Sequence, residues 1–383
     1  MNSKGAHPET TVSTVVIGAG QAGLATAQAL LARGHDCIVL ERNDRLGDNW
    51  RHHYDSLRLY SPARYDGLPG LPFPGDPWAC PGKDEVADYL QAYAAHFDLP
   101  VRAGVRVVRL ARGDTGAGRA RRFVVGTDTG TYHCDNVVVA TGTFGRTPRL
   151  PGFARDLDPG IQQLHSSEYR RPSQLSEGPA LVVGASHSGC DIAYELAASR
   201  PTTLVGRDCG QIPVRWDSWQ TGLAVPLLVF AWRHVLTRRT PMGRRMMPHI
   251  REHGGPMLRV KRADLAARGV VRNTARVEGV RGGRPLLADG TVLDVANVVW
   301  ATGFEQRFDW IDLPVVGDDG WPREYRGVAA DVPGLYFCGL AFQYAFASMV
   351  LPGVGRDARY LADRIVAAER SRPRGTPVTV AAA

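Results

Sequence analysis

Two glycine-rich segments with similar spacing lie far apart on the chain, at residues 18–23 (GAGQAG) and 184–189 (GASHSG). Each follows a run of β-branched residues and precedes a helical pattern. A glycine-rich turn between strand and helix can bind phosphate, because the helix N-terminus offers free N–H groups and the positive end of its dipole. Two such turns predict two dinucleotide sites, and therefore electron transfer between two nucleotide cofactors.

The glycines of the first turn have different predicted roles. Gly18 makes the tight turn, Gly20 lets the backbone approach a pyrophosphate, and Gly23 lets the helix pack closely on the strand. The flanking pattern predicts a strand at 14–17 and a helix at 24–33. The segment is therefore predicted to hold a dinucleotide, and a chance cluster of glycines is the alternative.

An acidic residue follows the next predicted strand, 37–40, and this residue is Glu41. A carboxylate at this distance from the turn accepts hydrogen bonds from an adenosine ribose and repels a 2′-phosphate. The first site is therefore predicted to hold FAD or NAD rather than NADP, and the acid makes a chance glycine cluster the weaker interpretation.

The second turn has an arginine where the first has its acid. Strands are predicted at 180–183 and 202–205, with a helix at 192–198 between them, and Arg207 follows the second strand. A guanidinium there suits a 2′-phosphate, which favours NADPH over NADH. The hydroxyl of Ser186 can donate to a phosphate. An ordinary solvent-exposed arginine is the alternative for this position.

Length and composition predict a two-domain protein, because 383 residues that are 44% hydrophobic can bury a sizeable core. The first ten residues are polar and carry no secretory signal. The longest apolar run, 222–232, is too short to span a bilayer. We therefore expect a cytoplasmic protein.

The six cysteines show no paired spacing. This argues against zinc, against a disulfide framework and against a dithiol redox centre, and no metal site is expected. We interpret the cysteines as small buried hydrophobic residues. They are Cys37, Cys80, Cys134, Cys190, Cys209 and Cys338.

The net charge of +8 is concentrated in residues 207–262, which contain eleven basic and three acidic residues. A basic segment with interleaved aromatic residues is typical of nucleic-acid or membrane docking. The aromatic residues concerned are Trp216, Trp219, Phe230 and Trp232.

We favour a different interpretation of this basic segment, a helical lid at about 210–262 over the substrate entrance. Its apolar centre at 224–230 would contact a substrate, and its arginines would be drawn towards the phosphates of NADPH. Under this interpretation no nucleic-acid partner is expected. Peripheral membrane contact through 222–245 is a less favoured alternative, and a homodimer stays open.

Further short motifs follow the two turns in a fixed order, and together they resemble the flavin-containing monooxygenase family over residues 14–368. The resemblance is greatest to its compact bacterial branch, which is CzcO-like and related to the plant YUCCA enzymes. The segments concerned are 46–50 (LGDNW), 54–57 (YDSL), 71–74 (LPFP), 140–142 and 301–303 (both ATG), and 334–340 (GLYFCGL), with a helix starting near Val354.

The resemblance implies an α/β fold with two Rossmann-like, doubly wound dinucleotide-binding domains, the NADPH domain being inserted into the FAD domain. The implied limits are 1–148 for the first part of the FAD domain, 149–300 for the NADPH domain with the lid insert, and 301–383 for the second part with the C-terminal tail. The two ATG turns would mark the crossings between the domains.

The resemblance also implies the chemistry. NADPH would reduce FAD, and reduced flavin would form a C4a-(hydro)peroxide with O2 that transfers one oxygen atom to a small amine, sulfide, ketone or 2-oxo acid. An FAD- and NADPH-dependent reductase, or an NADPH oxidase without oxygen transfer, is the alternative enzyme. A binding or sensing module without turnover is the alternative of a different class.

The candidate site residues fall into three groups. Those assigned to FAD are Gly18, Gly20, Gln21, Ala22, Gly23, Glu41, Arg42, Trp50, Thr141 and Gly339. Those assigned to NADPH and the domain crossing are Gly184, Ser186, His187, Ser188, Gly189, Arg207, Thr302 and Gly303. Candidates near the reacting atoms are Tyr60, Ser61 and Gln343, with Tyr344 beside the last; for Gln343 and Tyr344, ordinary loop packing is an equal alternative.

Two departures from the family pattern concern the site. The family signature between the domains survives only as its second half, His165 to Tyr169, and His165 is either a structural hinge residue or a chemical one. The asparagine that animal members carry near the flavin is missing from residues 57–62. Tyr60, Ser61 or bound NADP would have to take its place.

Overall fold

The computed structural model describes residues 8–113, 121–143, 147–215 and 218–371. Trp216, one of the aromatic residues of the basic segment, lies outside these ranges. The strands are β1 (Glu9–Ile17), β2 (Cys37–Leu40), β3 (Val101–Arg102), β4 (Val107–Arg112), β5 (Phe123–Thr127), β6 (Thr131–Val139), β7 (Thr147–Pro148), β8 (Gln162–His165), β9 (Ala180–Val183), β10 (Thr202–Val205), β11 (Val271–Asn273), β12 (Val277–Arg281), β13 (Arg284–Leu287), β14 (Asn297–Trp300), β15 (Phe304–Glu305), β16 (Glu324–Tyr325), β17 (Val328–Ala329) and β18 (Leu335–Phe337).

The helices follow the same chain order. They are α1 (Gln21–Leu31), α2 (Asp48–Arg51), α3 (Lys83–His96), α4 (His187–Leu196), α5 (Gln220–Phe230), α6 (Pro241–Glu252), α7 (Arg262–Ala267) and α8 (Leu351–Arg370). Among the described residues, none of these helices is both long enough and apolar enough to cross a membrane.

The first sheet contains strands from both ends of the chain. Its parallel centre has the order β18-β6-β1-β2-β3, with antiparallel strands added through β5 and through β17. The TVVI run pairs Thr14 with Cys37 and Ile17 with Leu40, and residues 14–17 are all buried or nearly so. Because both faces of a parallel sheet are covered, its central strands are continuous apolar runs. Helices α1, α3 and α8 cover one of these faces.

The second sheet is built from the middle of the chain. Its order is β11-β10-β9-β14-β8, and every pairing is parallel. The loop that binds phosphate in such a fold follows the central strand β9 and leads into α4. The chain therefore has two doubly wound units, the second inserted into the first, as predicted.

Two short strands mark the crossings between the sheets. β7 leaves the first unit, β15 returns to it, and the two pair antiparallel, while the N–H of Arg149 donates to the carbonyl of Gly303 at 3.0 Å. Each crossing follows one of the two ATG turns. His165 lies beside them, because its Nε2 is 3.0 Å from the Gly303 oxygen and its ring packs edge-on against Phe304.

The predicted strands at 37–40, 180–183 and 202–205 are confirmed at both ends, and the strand predicted at 14–17 extends back to residue 9. The helix boundaries were less accurate. α1 begins at Gln21 rather than at residue 24, α4 begins at His187 rather than at 192, and α8 begins at Leu351. α1 and α4 begin inside the glycine motifs, because residues 21–23 and 187–189 are already helical.

The expectation that all six cysteines are buried is wrong for two of them. Cys80 and Cys209 are partly exposed, and the other four are buried. Both lie in connecting segments outside the strands and helices, where no packed layer covers the thiol.

Candidate functional site

The first glycine turn has a shape that only glycine allows at two positions. Gly18 has φ +104°, and a Cβ there would lie 2.8 Å from the carbonyl oxygen of Ala140. A Cβ at Gly23 would overlap the carbonyl oxygen of Gly18. At Gly20, in contrast, φ is −77° and no described atom lies within 4 Å of an added Cβ. Gly20 therefore borders open space at the N-terminus of α1, where a phosphate fits.

Glu41 is fixed next to this turn. One carboxylate oxygen accepts the N–H of Ala19 at 2.8 Å, and the other accepts the backbone and side-chain N–H groups of Asn43 at 2.9 and 2.8 Å. The side chain is buried, whereas the neighbouring Arg42 is exposed. Carboxylate oxygens accept more than one hydrogen bond each, so Glu41 keeps capacity for ribose hydroxyls.

Three segments converge on the far end of this turn. Gly339, at φ +86°, packs so closely on Ala22 that a Cβ would lie 2.8 Å away. The side-chain amide of Gln21 donates to the carbonyl of Met349 at 3.2 Å. The buried Oγ1 of Thr141 has no hydrogen-bond partner among the described residues. A buried hydroxyl without a partner is costly unless a ligand satisfies it, and this fits a bound FAD.

Trp50 flanks the same region from another side. It is partly buried and packs against the hydrophobic cluster that joins the first sheet to α1, α3 and α8. Its ring lies 5.7 Å from that of His53. This aromatic side chain is therefore held by packing.

The second turn repeats the geometry of the first. Gly184 has φ +109°, and a Cβ there would overlap the carbonyl oxygen of Ala301. A Cβ at Gly189 would overlap the carbonyl oxygen of Gly184. Ser186 stands where the first turn has Gly20, and Ser188 is the second residue of α4 and partly buried.

The lid contacts the second turn directly through its double glycine at 254–255. The hydroxyl of Ser186, expected to donate to a phosphate, instead donates to the carbonyl of Gly255 at 3.0 Å. A Cβ at Gly254 would overlap the side chain of Ser186, and one at Gly255 would lie 3.0 Å from the ring of His187. Only glycines let the chain approach the turn this closely.

His187 is enclosed between the lid and the first unit. Its ring centroid lies 4.8 Å from that of Tyr60. Burial lowers the pKa of His187 to about 4, so the imidazole is neutral at physiological pH. His187 thus brings the second turn next to residues 57–62, where the asparagine of the animal members is missing.

Arg207 is exposed two residues after the end of β10, which fits both the 2′-phosphate prediction and the alternative of an ordinary solvent-exposed arginine. The preceding residue, Gly206, has φ +134°, and a Cβ there would lie 3.4 Å from the backbone of the turn glycine Gly184. Arg272 secures this corner by donating to the Gly206 carbonyl at 2.7 Å. Within the described part of the chain Arg207 forms no salt bridge, whereas Arg262 is paired with Asp208 at 2.6 Å.

Tyr60 connects the two units through a buried carboxylate. The hydroxyl of Tyr60 donates to Asp191 on α4 at 3.0 Å, Tyr54 donates to the same oxygen at 3.3 Å, and Arg259 of the lid lies 3.2 Å from it. Burial raises the pKa of Asp191, and Arg259 opposes that shift. Burial also raises the pKa of Tyr60 well above its usual range, so Tyr60 keeps its proton.

Ser61 is engaged by a second buried carboxyl, Asp66, at 2.6 Å. Asp66 is completely buried, and its other oxygen has no hydrogen-bond partner among the described residues. Burial raises the pKa of Asp66 to about 7. Sequence reasoning missed Asp66, because a single acid in a loop carries no periodic signal.

Gln343 was a candidate for substrate contact, but it is completely buried in its own loop. Its side-chain oxygen accepts the N–H of Leu340 at 3.3 Å, and its backbone carbonyl accepts from Arg238 at 3.0 Å. The ring of Tyr344 is covered by the guanidinium groups of Arg326 and Arg356, at 4.3 and 4.6 Å. For both residues the structure favours the alternative of ordinary loop packing.

A buried cluster of two arginines and one acid holds the lid on this same loop. Glu324 is 1% exposed and lies 2.6 Å from Arg238 and 3.6 Å from Arg251. Arg251 also donates to the carbonyl of Ala341 at 3.1 Å. We call this cluster the lid clamp. Nothing in the sequence marks this cluster, because its members are far apart along the chain.

The crossing residues have structural partners of their own. The hydroxyl of Thr302 donates to the carbonyl of Arg149, and Gly303 has φ +80°. His165 is buried with a lowered pKa, caused mainly by burial, and its Nδ1 lies 2.8 Å from the hydroxyl of Ser167. These contacts favour the hinge interpretation of His165.

Comparison with known proteins agrees with this architecture. The family described as pyridine nucleotide-disulphide oxidoreductase matches residues 15–211. An oxidoreductase described as CzcO-like, from Geobacillus kaustophilus, is 38% identical over 358 residues, which is 93% of this chain and 98% of that protein. Rice indole-3-pyruvate monooxygenase YUCCA1 is 36% identical over 223 residues, 56% of this chain and 53% of that protein.

A solved structure extends the likeness to three dimensions. The flavin-containing monooxygenase from Stenotrophomonas maltophilia is 26% identical and aligns with a TM-score of 0.71, covering 94% of this chain and 99% of that one. The chain belongs to the flavin-containing monooxygenase family, a group of flavoprotein oxidoreductases with paired Rossmann-type domains. The prediction of FAD and NADPH as cofactors is confirmed at the level of this family.

Proposed function

We propose that this protein is an NADPH- and O2-dependent FAD monooxygenase that transfers one oxygen atom to a small organic substrate, an amine, a sulfide, a ketone or a 2-oxo acid. One observation carries the proposal: two phosphate turns of matching geometry lie on the two units, and Tyr60 of the first unit contacts His187 of the second turn and Asp191 on α4. The relatives named as monooxygenases support the oxygen-transferring reaction over a simple reductase.

The proposed cofactor positions follow from the two turns. FAD would lie along Gly18, Gly20 and Glu41, with the partnerless hydroxyl of Thr141 near its ring system. NADPH would lie along the turn at 184–189, with Arg207 on its 2′-phosphate. The limits 1–148, 149–300 and 301–383 for the FAD domain, its insert and its second part remain our proposal.

The protein's contribution is orientation, proton placement and exclusion of water. Bound FAD would supply the redox chemistry, with NADPH as the electron donor and O2 as the source of the transferred oxygen atom. Tyr60 holds its proton at its hydroxyl oxygen and directs it to Asp191, while His187 next to it stays neutral. The lid clamp keeps the cover closed over the flavin-side loop, which favours oxygen transfer over loss of hydrogen peroxide to water.

Isotope labelling tests this proposal. The FAD-loaded protein would oxidise NADPH under ¹⁸O2 in the presence of a thioether, a tertiary amine or an aromatic 2-oxo acid, each in a separate reaction. We expect one class to yield product with one ¹⁸O atom for each NADPH consumed, with little hydrogen peroxide. Quantitative hydrogen peroxide with every class would establish an oxidase. If NADPH is oxidised only when a quinone is supplied as the electron acceptor, and this happens without oxygen, the protein would be a reductase.

A further inference from the structure

Helix α5 of the lid is apolar on every side. Its sequence, QTGLAVPLLVF, contains no charged residue. Thr221, Val225 and Val229 are buried against the rest of the protein. The opposite face is apolar and exposed, by 59–77%, and consists of Trp219, Leu223, Leu227 and Phe230.

An apolar stripe of this kind indicates a missing partner. Single exposed apolar residues are ordinary, but a helix that is hydrophobic all round is normally covered on all sides. The spacing of Trp219, Leu223 and Leu227 by four residues puts them on one line along the helix. In the described structure this line faces solvent.

The next helix, α6, adds apolar and basic side chains. Met242 and Met246 are 55% and 36% exposed, one turn apart. Arg245 and His249 continue the same face at helical spacing, and both are exposed. The helix is therefore amphipathic, with methionines and cations on its outer surface.

The charge of this region has one sign. Residues 218–251 contain six arginines and no aspartate or glutamate. Arg238 and Arg251 are neutralised by Glu324 in the lid clamp. The exposed arginines 239, 244 and 245 form no salt bridge within the described part of the chain.

We propose that this lid surface, the apolar stripe of α5 with the exposed arginines and methionines after it, docks on an anionic lipid surface. The exposed Trp219, Leu223 and Leu227 would enter the boundary between headgroups and acyl chains, and the arginines would pair with lipid phosphates. The proposal goes beyond oxygen transfer, because it concerns where the protein binds and not which substrate it oxidises.

Two other occupants fit the surface less well. In a symmetric dimer the same patch meets itself, so the unpaired arginines of both copies would lie close together. A nucleic acid would match the arginines, but it would leave Leu223 and Leu227 in water, because phosphate contacts bury no aliphatic surface. An anionic bilayer satisfies the arginines and the leucines together.

Vesicle flotation tests the proposal with the FAD-loaded full chain. Vesicles of phosphatidylcholine alone would be compared with vesicles that also contain phosphatidylglycerol, at low and high salt. We expect the protein to float with the anionic vesicles and to bind the neutral ones at least tenfold less. The variant Leu223→Ser/Leu227→Ser should lose more than tenfold of the anionic binding, and Arg244→Gln/Arg245→Gln should lose binding and most of its salt dependence.

Matched controls exclude a general effect of exposed apolar or basic residues. Val108→Ser/Val316→Ser and Arg102→Gln/Arg106→Gln change exposed residues outside the lid and should bind like the unchanged protein. Flavin absorbance and the thermal midpoint would verify that each variant is folded.

The contradicting results are equally specific. No binding to anionic vesicles would overturn the proposal, and so would binding that the leucine pair does not affect. A dimer in solution that Leu223→Ser/Leu227→Ser dissociates, without vesicle binding, would assign the surface to a second copy. A salt-dependent shift with RNA or DNA in place of vesicle binding would assign it to nucleic acid.

Discussion

Gly20 differs from Gly18 and Gly23 because none of the described residues occupies the space that a side chain would take there. The carbonyl oxygens of Ala140 and Gly18 exclude a side chain at Gly18 and Gly23, so substitution there would damage the fold itself. At Gly20 the protein leaves the space open and the backbone conformation is one that alanine adopts readily. A substitution at Gly20 is therefore expected to affect ligand binding without affecting folding.

Gly20→Ala is expected to fold normally and to lose FAD, because the new methyl group occupies the place of the pyrophosphate. Flavin absorbance per polypeptide after purification measures the occupancy, and circular dichroism verifies the fold. Gly152→Ala is the matched control, since a Cβ there also meets no described atom within 4 Å. A Gly20→Ala protein that retains full flavin occupancy would place the cofactor elsewhere.

Asp66 should make stability depend on pH in an unusual direction. Its pKa is raised from 3.8 to about 7 in the folded protein, so between these values only the unfolded state releases the proton. The contribution of Asp66 to the free energy of unfolding is fully present below pH 4 and disappears as the pH rises through 7. Between pH 5 and pH 8 the loss is about 3 kcal/mol.

Asp66→Asn removes this titration. We expect urea unfolding to show that, between pH 5 and pH 8, the free energy of unfolding falls by about 3 kcal/mol more in the unchanged protein than in the variant. Asp318→Asn, an exposed acid, should behave like the unchanged protein. An identical pH dependence in Asp66→Asn would mean that Asp66 is ionised in the folded state.

At the scale of elements, the lid is a fixed part of the site. Its clamp at Glu324 holds α6 and the preceding turn on the loop that follows β18, while its double glycine rests on the second phosphate turn. The lid therefore contacts both units. If NADPH binds at the second turn as proposed, the Ser186 hydroxyl must leave the carbonyl of Gly255 before it can donate to a phosphate.

Glu324→Gln tests the clamp. Removing one member of a buried ion cluster leaves the other charges uncompensated, at a cost of about 3–5 kcal/mol. We expect a lower free energy of unfolding and faster proteolysis within residues 218–262. The control is Asp312→Asn, which breaks a pair with Arg109 at 2.5 Å whose partners are 64% and 66% exposed. That change should cost about 0–1 kcal/mol. Equal effects of the two variants would show that the clamp does not hold the lid.

At the scale of the whole molecule, the two units are joined by their crossing strands and by the network of Tyr60, Tyr54 and Arg259 around Asp191. This network joins residues 54–60 of the first unit, helix α4 of the second unit and the end of the lid. A single buried carboxylate, Asp191, thus connects the two units in addition to the crossing strands.

The parts of this molecule that sequence predicts are those encoded locally. The strands at 37–40, 180–183 and 202–205 are short apolar runs, and the two turns are recognised by the spacing of their glycines. The helices were predicted to start too late because α1 and α4 begin inside the glycine motifs, where glycine and polar residues interrupt the apolar pattern. Residues 210–262 stood out by their charge, but the contacts of this segment with Glu324 and Ser186 could not be predicted from the sequence.

The residues that could not be predicted from the sequence become notable only once the chain is folded around them. Asp66 becomes notable only because the surrounding loop buries it completely, and Glu324 only because the lid folds back onto it. Gln343 is the opposite case, since its position in the sequence left substrate contact and ordinary loop packing equally open, and its own loop encloses it. Burial of a polar side chain is a property of tertiary packing, which no local pattern reports.

Anaerobic reduction of the bound flavin tests the central claim most directly, that FAD on the first turn is reduced by NADPH held on the second by Arg207. Flavin bleaching would be followed against NADPH and NADH concentration in the unchanged protein and in Arg207→Ala. We expect NADPH to be preferred, and the variant to weaken NADPH by about 1–3 kcal/mol while NADH is unaffected. A flavin that NADPH does not reduce, or equal losses for both nucleotides in the variant, would contradict the account.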